Sequence, residues 1–259
     1  QKWKIFIDEN AQWQDDSLYL PPINIASIPV NIPSAGWRLL ENETLAVTTQ
    51  LPATVEEYFW GKRGSSFGVT GNYLGVSWFT TKVLIPNNLK GKRITLHFES
   101  VRFRAEVFVN KKLVGYDIVN STPFDVDISK AVNLGQLNDI AVRITDPNGN
   151  FDWRDSKNFM WGDYRTIPSH GFGGITGKVK LVATDPTYIE DIFIKNKPTP
   201  NEIDVEVSLS NLSSQEESGT LTLSVVEWKN PSKVVYQELR KVQLQPNENS
   251  LVHQTMKVE

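Results

Sequence analysis

The stretch from Tyr73 to Ile128 constrains the fold most, because it consists of short apolar runs that each end in a turn signal. The runs read YLGVSWFTTKVLIP, GKRITLHFESV, RAEVFVN and STPFDVDIS. Their apolar residues alternate with polar ones or stay continuous over a few positions, which is typical of β-strands and not of helices. The short links predict that these strands are antiparallel neighbours, and NKKLVG predicts a tight hairpin between two of them.

The parts of the chain on either side of this stretch also read as short strands. Prolines in the first 50 residues are spaced too closely for an α-helix and favour short strands joined by extended loops. The segment TVEEYFW predicts one or two helical turns, SKAVN predicts a single turn, and a strand is expected from Asp139 to Asp146. ITGKVKLVA then follows as another strand.

From Tyr188 onward the alternation becomes cleaner and indicates a second unit. Its five strand candidates are IEDIFIKN, IDVEVSLSN, GTLTLSVVEW, KVVYQELRKVQL and LVHQTMKV. Polar linkers such as SSQEESG separate them, which predicts a small antiparallel sandwich. An immunoglobulin-like sandwich has about seven strands in about 100 residues, so this one is expected to be incomplete, and the chain end at Glu259 reads as a cut.

Composition excludes several classes of function. The 27 basic and 30 acidic residues are scattered without blocks, so no surface for a nucleic acid is predicted. No apolar run approaches the roughly 20 residues that span a bilayer. The absence of cysteine rules out disulfides, thiolate catalysis and cysteine-ligated zinc. No phosphate-binding glycine motif lies between a strand and a helix, so no nucleotide cofactor is implied.

A long irregular segment from Pro147 to Gly174 is the candidate functional surface. It reads PNGNFDWRDSKNFMWGDYRTIPSHGFGG, with no sustained period and with aromatic residues among aspartates, arginines and a histidine. Long segments of this kind inside a compact domain are usually functional or disordered, and the density of aromatic residues argues against disorder.

Five pieces of the chain, in order, resemble the N-terminal sugar-binding domain of glycoside hydrolase family 2. They are YLGVSWFTTKVLIP, GKRITLHFESV with RFRAEVFVNKKLVG, STPFDVDIS, and HGFGGITGKVKLVATDPTYIEDIFI, within residues 37–195. The family includes β-galactosidases, β-glucuronidases and β-mannosidases. The resemblance implies an all-β chain: a jelly-roll, galactose-binding-like sandwich over 1–186, then the start of an immunoglobulin-like sandwich over 187–259. In the family a TIM barrel with two catalytic glutamates follows.

Nothing in the chain resembles that barrel, and no alternation of strands and helices that would build one is present. Retaining glycoside hydrolysis needs two carboxyl groups about 5–5.5 Å apart on a rigid scaffold. The chain is therefore expected to be the non-catalytic N-terminal portion of a glycosidase, inactive alone and with no catalytic residue or cofactor of its own. The partners that the resemblance implies are a carbohydrate substrate, bound through the full-length protein, and the missing barrel.

The family's first domain often lends loop residues to the sugar pocket, and two of its features are not matched here. An acidic residue that some members carry about five positions before the Gly-Ile pair falls at Pro168 or Ser169. A glycine pair that often precedes the TPF segment is replaced by Val119 and Asn120. These departures leave the choice between galactosidase and glucuronidase open.

Sugar sites combine aromatic faces with carboxylates, amides and arginines, and the segment from Pro147 to Gly174 holds both kinds. Each candidate has an alternative structural role: the tryptophans would pack the segment onto the sandwich, the aspartates would cap turns, and the histidine would bond a backbone carbonyl. The candidate substrate-binding residues are Asp152, Trp153, Trp161, Asp163, Tyr164 and His170.

Three further expectations concern metals, alternative functions and location. Asp125 and Asp127 alternate on a strand and could lie near a structural cation, but hydrogen-bonded and solvated roles are favoured and no metal site is predicted.

A stand-alone carbohydrate-binding module and an adhesion or scaffold protein are the alternative functions. A periplasmic or secreted location in a bacterium is expected, since an enzyme that degrades polysaccharides would be exported.

Overall fold

The computed structural model describes residues 1–13, 15–20, 22–61, 73–102, 104–119, 121–146, 160–161, 164–165 and 172–257. The prediction of an all-β chain is confirmed. The chain divides into two compact units, the first formed by residues 1–90 and 94–183 and the second by residues 91–93 and 184–259. Within the described ranges, no helix has the length and apolar character needed to cross a membrane.

Thirteen strands of the first unit and its short helices are described. The one α-helical turn in the described part, α1, is Glu56–Phe59, which agrees with the predicted one or two turns. The 3-10 turns are Ile25–Ser27, Trp37–Glu41, Glu43–Leu45 and Asn87–Leu89. The strands are β1 Trp3–Asp8, β2 Val47–Thr49, β3 Ala53–Thr54, β4 Gly75–Ile85, β5 Arg93–Phe98, β6 Arg104–Val109, β7 Lys112–Asp117, β8 Phe124–Asp127, β9 Gln136–Asp146, β10 Met160–Trp161, β11 Tyr164–Arg165, β12 Gly174–Ile175 and β13 Val179–Thr184.

These strands build a sandwich of two main sheets. The larger sheet has the order β2-β1-β4-β9-β6-β7 and the smaller one the order β13-β5-β8. Apolar side chains of both sheets meet in one core, with Phe79 and Val142 from the larger sheet and Leu96 and Phe98 from the smaller. Because successive side chains of a strand point to opposite faces, this core takes every second residue of each strand.

Strand pairing differs in part from the sequence prediction. The hairpin is confirmed: β6 and β7 pair antiparallel across Asn110 and Lys111, whose φ angles of 50° and 68° are those of a two-residue turn. The prediction that β4, β5 and β6 are neighbours is wrong, since β5 belongs to the other sheet. A short link favours the pairing of consecutive strands, but it also allows the second strand to join the opposite sheet of a sandwich, as β5 does.

The outer face of the six-stranded sheet is also covered. Trp78 and Phe108 project from this face and pack with Trp13 and Ile28, which come from the connection between β1 and β2. That connection contains 3-10 turns where the sequence predicts short strands. Both faces of β4 are therefore buried over most of its length, which explains its apolar character at consecutive positions.

Beside this second apolar cluster lies a buried network of charges. Glu106 of β6 and Arg143 of β9 stand opposite each other in the sheet, with 2.5 Å between Arg143 Nη1 and Glu106 Oε2. Arg104 donates to both Asp16 and Glu106. Asn31 Nδ2 donates to Glu106 Oε1 at 2.8 Å. Burial lowers the pKa of Arg104, but the charges of Glu106 and Asp16 outweigh it and raise that pKa.

The second unit contains all five of its predicted strands. One sheet has the order β14-β15-β18, and β16 pairs with β17 in the other. Buried side chains from both sheets, such as Val207 of β15 and Leu223 of β16, form its core. The strands are β14 Thr187–Asn196, β15 Glu202–Asn211, β16 Glu217–Glu227, β17 Asn230–Leu244 and β18 Asn249–Lys257.

Candidate functional site

The two described ends of the candidate segment lie close together on the first unit. Asp146, the last residue of β9, pairs with Gly75 at the start of β4. Gly173 packs so closely against the Asp146 carboxylate that a Cβ would not fit there. Gly174 exchanges two backbone hydrogen bonds with Arg102, of 2.6 and 2.8 Å. The segment therefore leaves and re-enters the sandwich at one place.

Strand β3 and helix α1 form the support for the returning end. Gly174 pairs with Thr54 of β3, and the Val55 N–H donates to the Gly173 carbonyl at 2.8 Å. Gly174 has a φ of 146°, a backbone conformation that residues other than glycine rarely adopt. The Ala53 carbonyl fills the space where a Cβ would lie. Glycine at this position thus allows β3 and β12 to approach.

Glu56 is a buried carboxyl group beneath this junction. Its side chain is 3% exposed, and its Oε1 accepts a 2.8 Å hydrogen bond from the Tyr73 N–H. Its Oε2 is buried and has no hydrogen-bond partner among the described residues. Desolvation raises the pKa of Glu56, while backbone donors at Tyr73 and Gly173 and the charge of Arg102 oppose that shift. Glu56 thus joins the start of β4 to the returning end of the segment.

Two exposed aromatic side chains lie above this support. Trp60 follows α1 and Phe172 lies near the end of the candidate segment, and their rings meet edge to face with centroids 6.0 Å apart. Trp60 is 60% exposed and Phe172 is 41% exposed. Large apolar side chains that stay in contact with each other and with solvent are common at binding surfaces. A flat ring with one open face can stack on the apolar face of a pyranose.

The structure describes the backbone of two predicted site residues. Trp161 and Tyr164 stand opposite each other in the β10–β11 pair, next to Met160 and Arg165. The other four lie outside the described residues, and the role of all six as sugar ligands stays a prediction. They are Asp152, Trp153, Asp163 and His170.

Asp125 and Asp127 take hydrogen-bonding roles. The Asp125 carboxylate lies 2.8 Å from His97 Nδ1, and Asp127 accepts a 2.9 Å hydrogen bond from the Ser129 N–H. In the part of the chain that the structure describes, no three acidic or histidine side chains come together as ligands for a metal ion.

Sequence reasoning missed Glu56 and Trp60 as parts of the site, and it included Phe172 in the candidate segment without naming it as a candidate ligand. The pattern TVEEYFW predicted a helical turn that ends in aromatic residues but did not indicate that one of its two glutamates is buried. The residues that cover Glu56 are Tyr73 and Gly173, which lie elsewhere in the sequence. The glycines after Phe172 were the one available signal, since a run of glycines often marks a close backbone approach.

Comparison with known families matches residues 66–185 to the sugar-binding domain of glycosyl hydrolases family 2. Among curated proteins, the chain is 27% identical over 177 residues to a β-glucuronidase of Formosa agariphila, covering 63% of this chain and 18% of the relative. It is 27% identical over 164 residues to a β-galactosidase of Thermoanaerobacter pseudethanolicus, covering 60% of this chain and 20% of the relative. The chain thus spans about a fifth of these relatives.

Solved structures show the same fold. A glycosyl hydrolase family 2 member from Bacteroides cellulosilyticus aligns over 100% of this chain and 30% of its own, with a TM-score of 0.68 and 20% identity. A β-glucuronidase of Bacteroides uniformis aligns over 100% of this chain and 28% of its own, with a TM-score of 0.68 and 17% identity. At these identities the likeness establishes the fold and nothing further.

Proposed function

Since this chain carries the sugar-binding domain of glycosyl hydrolases family 2, we propose that it is the non-catalytic N-terminal portion of a β-glycosidase. In this proposal the two sandwiches brace a catalytic TIM barrel, and the segment from Pro147 to Gly174 contributes to the rim of the sugar site. The stand-alone module is the weaker alternative, because the relatives matched are glycosidases several times longer than the matched part.

The exposed pair formed by Trp60 and Phe172 carries the proposal. The pair stands where the candidate segment returns to the sandwich, and its rings are open to solvent. Stacking on such rings orients a pyranose without any chemical step. Glu56 is a positioning residue here, because its carboxyl group is buried and accepts a hydrogen bond from the Tyr73 N–H of the chain itself.

The chemical step belongs to the barrel that the family resemblance implies. A retaining mechanism uses one carboxyl group as nucleophile and a second as acid and base, about 5–5.5 Å apart. This chain would raise the rate by holding the sugar in the orientation that the two carboxyl groups require. The proposed substrate of the full-length enzyme is a β-glucuronide or a β-galactoside, since the relatives named include a β-glucuronidase and a β-galactosidase.

The experiment is a comparison of variants of the full-length parent enzyme on p-nitrophenyl β-glucuronide and β-galactoside. We expect Trp60→Ala with Phe172→Ala to lower kcat/KM about tenfold or more, as expected for losing aromatic contact with the sugar. Joint replacement of Trp153, Trp161 and Asp163 by Ala is expected to act in the same direction. An unchanged kcat/KM in both variants would overturn the proposal.

A matched control is Trp228→Ala, which removes an exposed tryptophan of the second unit, 92% exposed, and should leave kcat/KM unchanged. The isolated chain is expected to hydrolyse neither substrate. Export to the periplasm or the medium of a bacterium is also part of the proposal, and cell fractionation with an antibody against this chain tests it.

A further inference from the structure

A cavity of about 570 Å³ opens on the outer face of the six-stranded sheet. Its volume falls within the range of about 300–1,000 Å³ that small-molecule sites occupy. It lies over Ala141 on β9, five residues before Asp146, which places it about 17 Å along that strand from the candidate segment. The cavity is therefore separate from the junction where Trp60 and Phe172 meet.

The floor of the cavity is one row of side chains across four neighbouring strands. Lys4 of β1 stands opposite both Thr48 of β2 and Thr80 of β4, and Thr80 stands opposite Ala141 of β9. All four line the cavity. Side chains of directly opposed residues share one face of the sheet, and three of these four are small. The small residues leave the space that the cavity fills.

One wall of the cavity is an aromatic ring that is held in place. Trp37 begins a 3-10 turn and packs edge-on against Trp78 and Phe108, with centroid distances of 5.8 and 5.3 Å. Trp78 is itself anchored through a 3.2 Å hydrogen bond from its Nε1 to Asp8. Trp37 is half-buried and lines the cavity. Its orientation is therefore set before any ligand arrives.

Ion pairs stand around the rest of the lining. Lys82 Nζ lies 2.9 Å from Asp139, and Lys111 Nζ lies 3.6 Å from Glu41. Lys4 pairs with Glu43 in the same lining. Each pair presents a hydrogen-bond donor beside an acceptor and has no net charge, while the exposed Lys2, also in the lining, adds one positive charge. Because three of the four lysines stand beside a carboxylate, the lining offers donors and acceptors together, which matches vicinal hydroxyl groups better than a phosphate or another strong anion.

We propose that this cavity is a binding site for an uncharged, hydroxyl-rich saccharide. One pyranose stacks on Trp37, and its hydroxyl groups bond to the Lys82–Asp139 and Lys4–Glu43 pairs and to the Thr80 hydroxyl. The site binds carbohydrate without cleaving it and does not depend on the segment from Pro147 to Gly174.

The test is a titration of the isotope-labelled chain with xylotetraose, mannotetraose, galactotetraose and tetragalacturonate, followed by NMR and calorimetry. We expect at least one neutral tetrasaccharide to bind and to shift the Trp37 indole signal. Trp37→Ala should weaken that binding about tenfold or more. Thr80→Met fills the floor of the cavity and leaves the Trp37 residue itself unchanged, and it should have the same effect, so it provides the test where Trp37→Ala fails to fold.

Two tryptophan variants serve as controls. Trp228→Ala removes an exposed tryptophan outside the cavity, and Trp60→Ala removes one from the junction described above. Trp228→Ala should bind as the unmodified chain does, and Trp60→Ala should keep the shift of the Trp37 indole signal that reports binding in the cavity. Absence of binding to any neutral tetrasaccharide, or binding of tetragalacturonate alone, overturns the inference. Loss of binding in Trp60→Ala with retention in Trp37→Ala and Thr80→Met also overturns it, while supporting the proposed function.

Discussion

At the scale of single residues, Glu106 is a buried acid on which a network of charges is centred. Its carboxylate is 1% exposed and meets the guanidinium groups of both Arg104 and Arg143. The carboxylate compensates the positive charges of Arg104 and Arg143, which are themselves buried. This compensation is needed because an uncompensated buried charge costs several kcal/mol. The network also joins the sheet to the N-terminal connection through Asp16 and Asn31.

We expect Glu106→Gln to lower the free energy of unfolding by about 3–5 kcal/mol, the usual cost of removing one partner from a buried ion pair. Urea denaturation monitored by tryptophan fluorescence measures it. Glu227→Gln is the control, since Glu227 pairs with Lys233 at the surface and its loss should change stability little. A Glu106→Gln protein as stable as this control would contradict the assigned role.

Asp117 makes stability depend on pH. Burial raises its pKa to about 6, while a hydrogen bond from the Val119 N–H opposes that shift. In the unfolded chain the pKa is about 3.9, so between about pH 4 and 6 the folded protein holds a proton that the unfolded chain has lost. The protonated Asp117 carboxyl group therefore favours the folded state fully below about pH 4, and this contribution to the free energy of unfolding is lost as the pH rises through 6.

The expected result for Asp117→Asn is a flatter stability profile between about pH 4 and 6 and a gain of about 1–3 kcal/mol at pH 7. The amide has no charge to desolvate, and its oxygen can still accept from Val119, whose N–H lies 3.0 Å from the present carboxylate. Urea unfolding at a series of pH values is the measurement. A constant difference between the two proteins at every pH would refute the explanation.

Among the elements, the contact between β3 and β12 determines where the candidate segment ends. Gly174 pairs with Thr54 and has a φ of 146°, and the Ala53 carbonyl fills the space for a Cβ. This contact also places Phe172 beside Trp60. A two-residue strand pair is weak alone, so the close backbone approach and the hydrogen bonds around Arg102 hold it together.

Gly174→Ala should destabilise the first unit by about 2 kcal/mol or more, because both the φ angle and the close carbonyl oppose a side chain. Thermal unfolding followed by circular dichroism gives the change. Gly219→Ala is the matched control, since Gly219 lies in β16, has no left-handed φ, and has no atom within 4 Å of the position that a Cβ would take. If both substitutions had equal effects, the close approach would not be the cause.

At the scale of the molecule, the two units differ in how much apolar surface they bury. The described first unit has core clusters of 20 and 8 buried apolar residues, and the described second unit has one of 7. Strand β14 of the second unit leaves Ile192, Phe193 and Ile194 more than half exposed. Stability rises with buried apolar area, so the second unit should be the less stable one.

We therefore expect two separate unfolding transitions in urea. Seven of the eight tryptophans precede residue 184, so tryptophan fluorescence reports mainly on the first unit, whereas far-ultraviolet circular dichroism reports on both. The dichroism should begin to change at a lower urea concentration than the fluorescence. Coincident transitions would show that the two units unfold together.

The sequence by itself determined the long strands of the first unit after residue 73, the hairpin and the five strands of the second unit, whereas in the first 50 residues it predicted short strands where the structure has 3-10 turns. These features depend on local properties, namely which residues favour extended backbone and which face of a strand is apolar. The order of the resembling pieces along the chain also pointed to the sugar-binding domain whose family model matches residues 66–185. All six predicted sugar ligands stay predictions, since Asp152, Trp153, Asp163 and His170 lie outside the described residues and only the backbone of Trp161 and Tyr164 is described.

Tertiary structure alone decided which sheet each strand joins and which polar residues are buried. Arg104, Glu106 and Arg143 alternate with apolar residues as surface charges would, and they are buried where Gln12, Asp16 and Asn31 of the N-terminal connection contact them. Glu56 is buried by Tyr73 and Gly173, and the cavity beside Trp37 exists because small residues from neighbouring strands stand in one row. Each of these depends on contacts between residues distant in the chain, which no local pattern encodes.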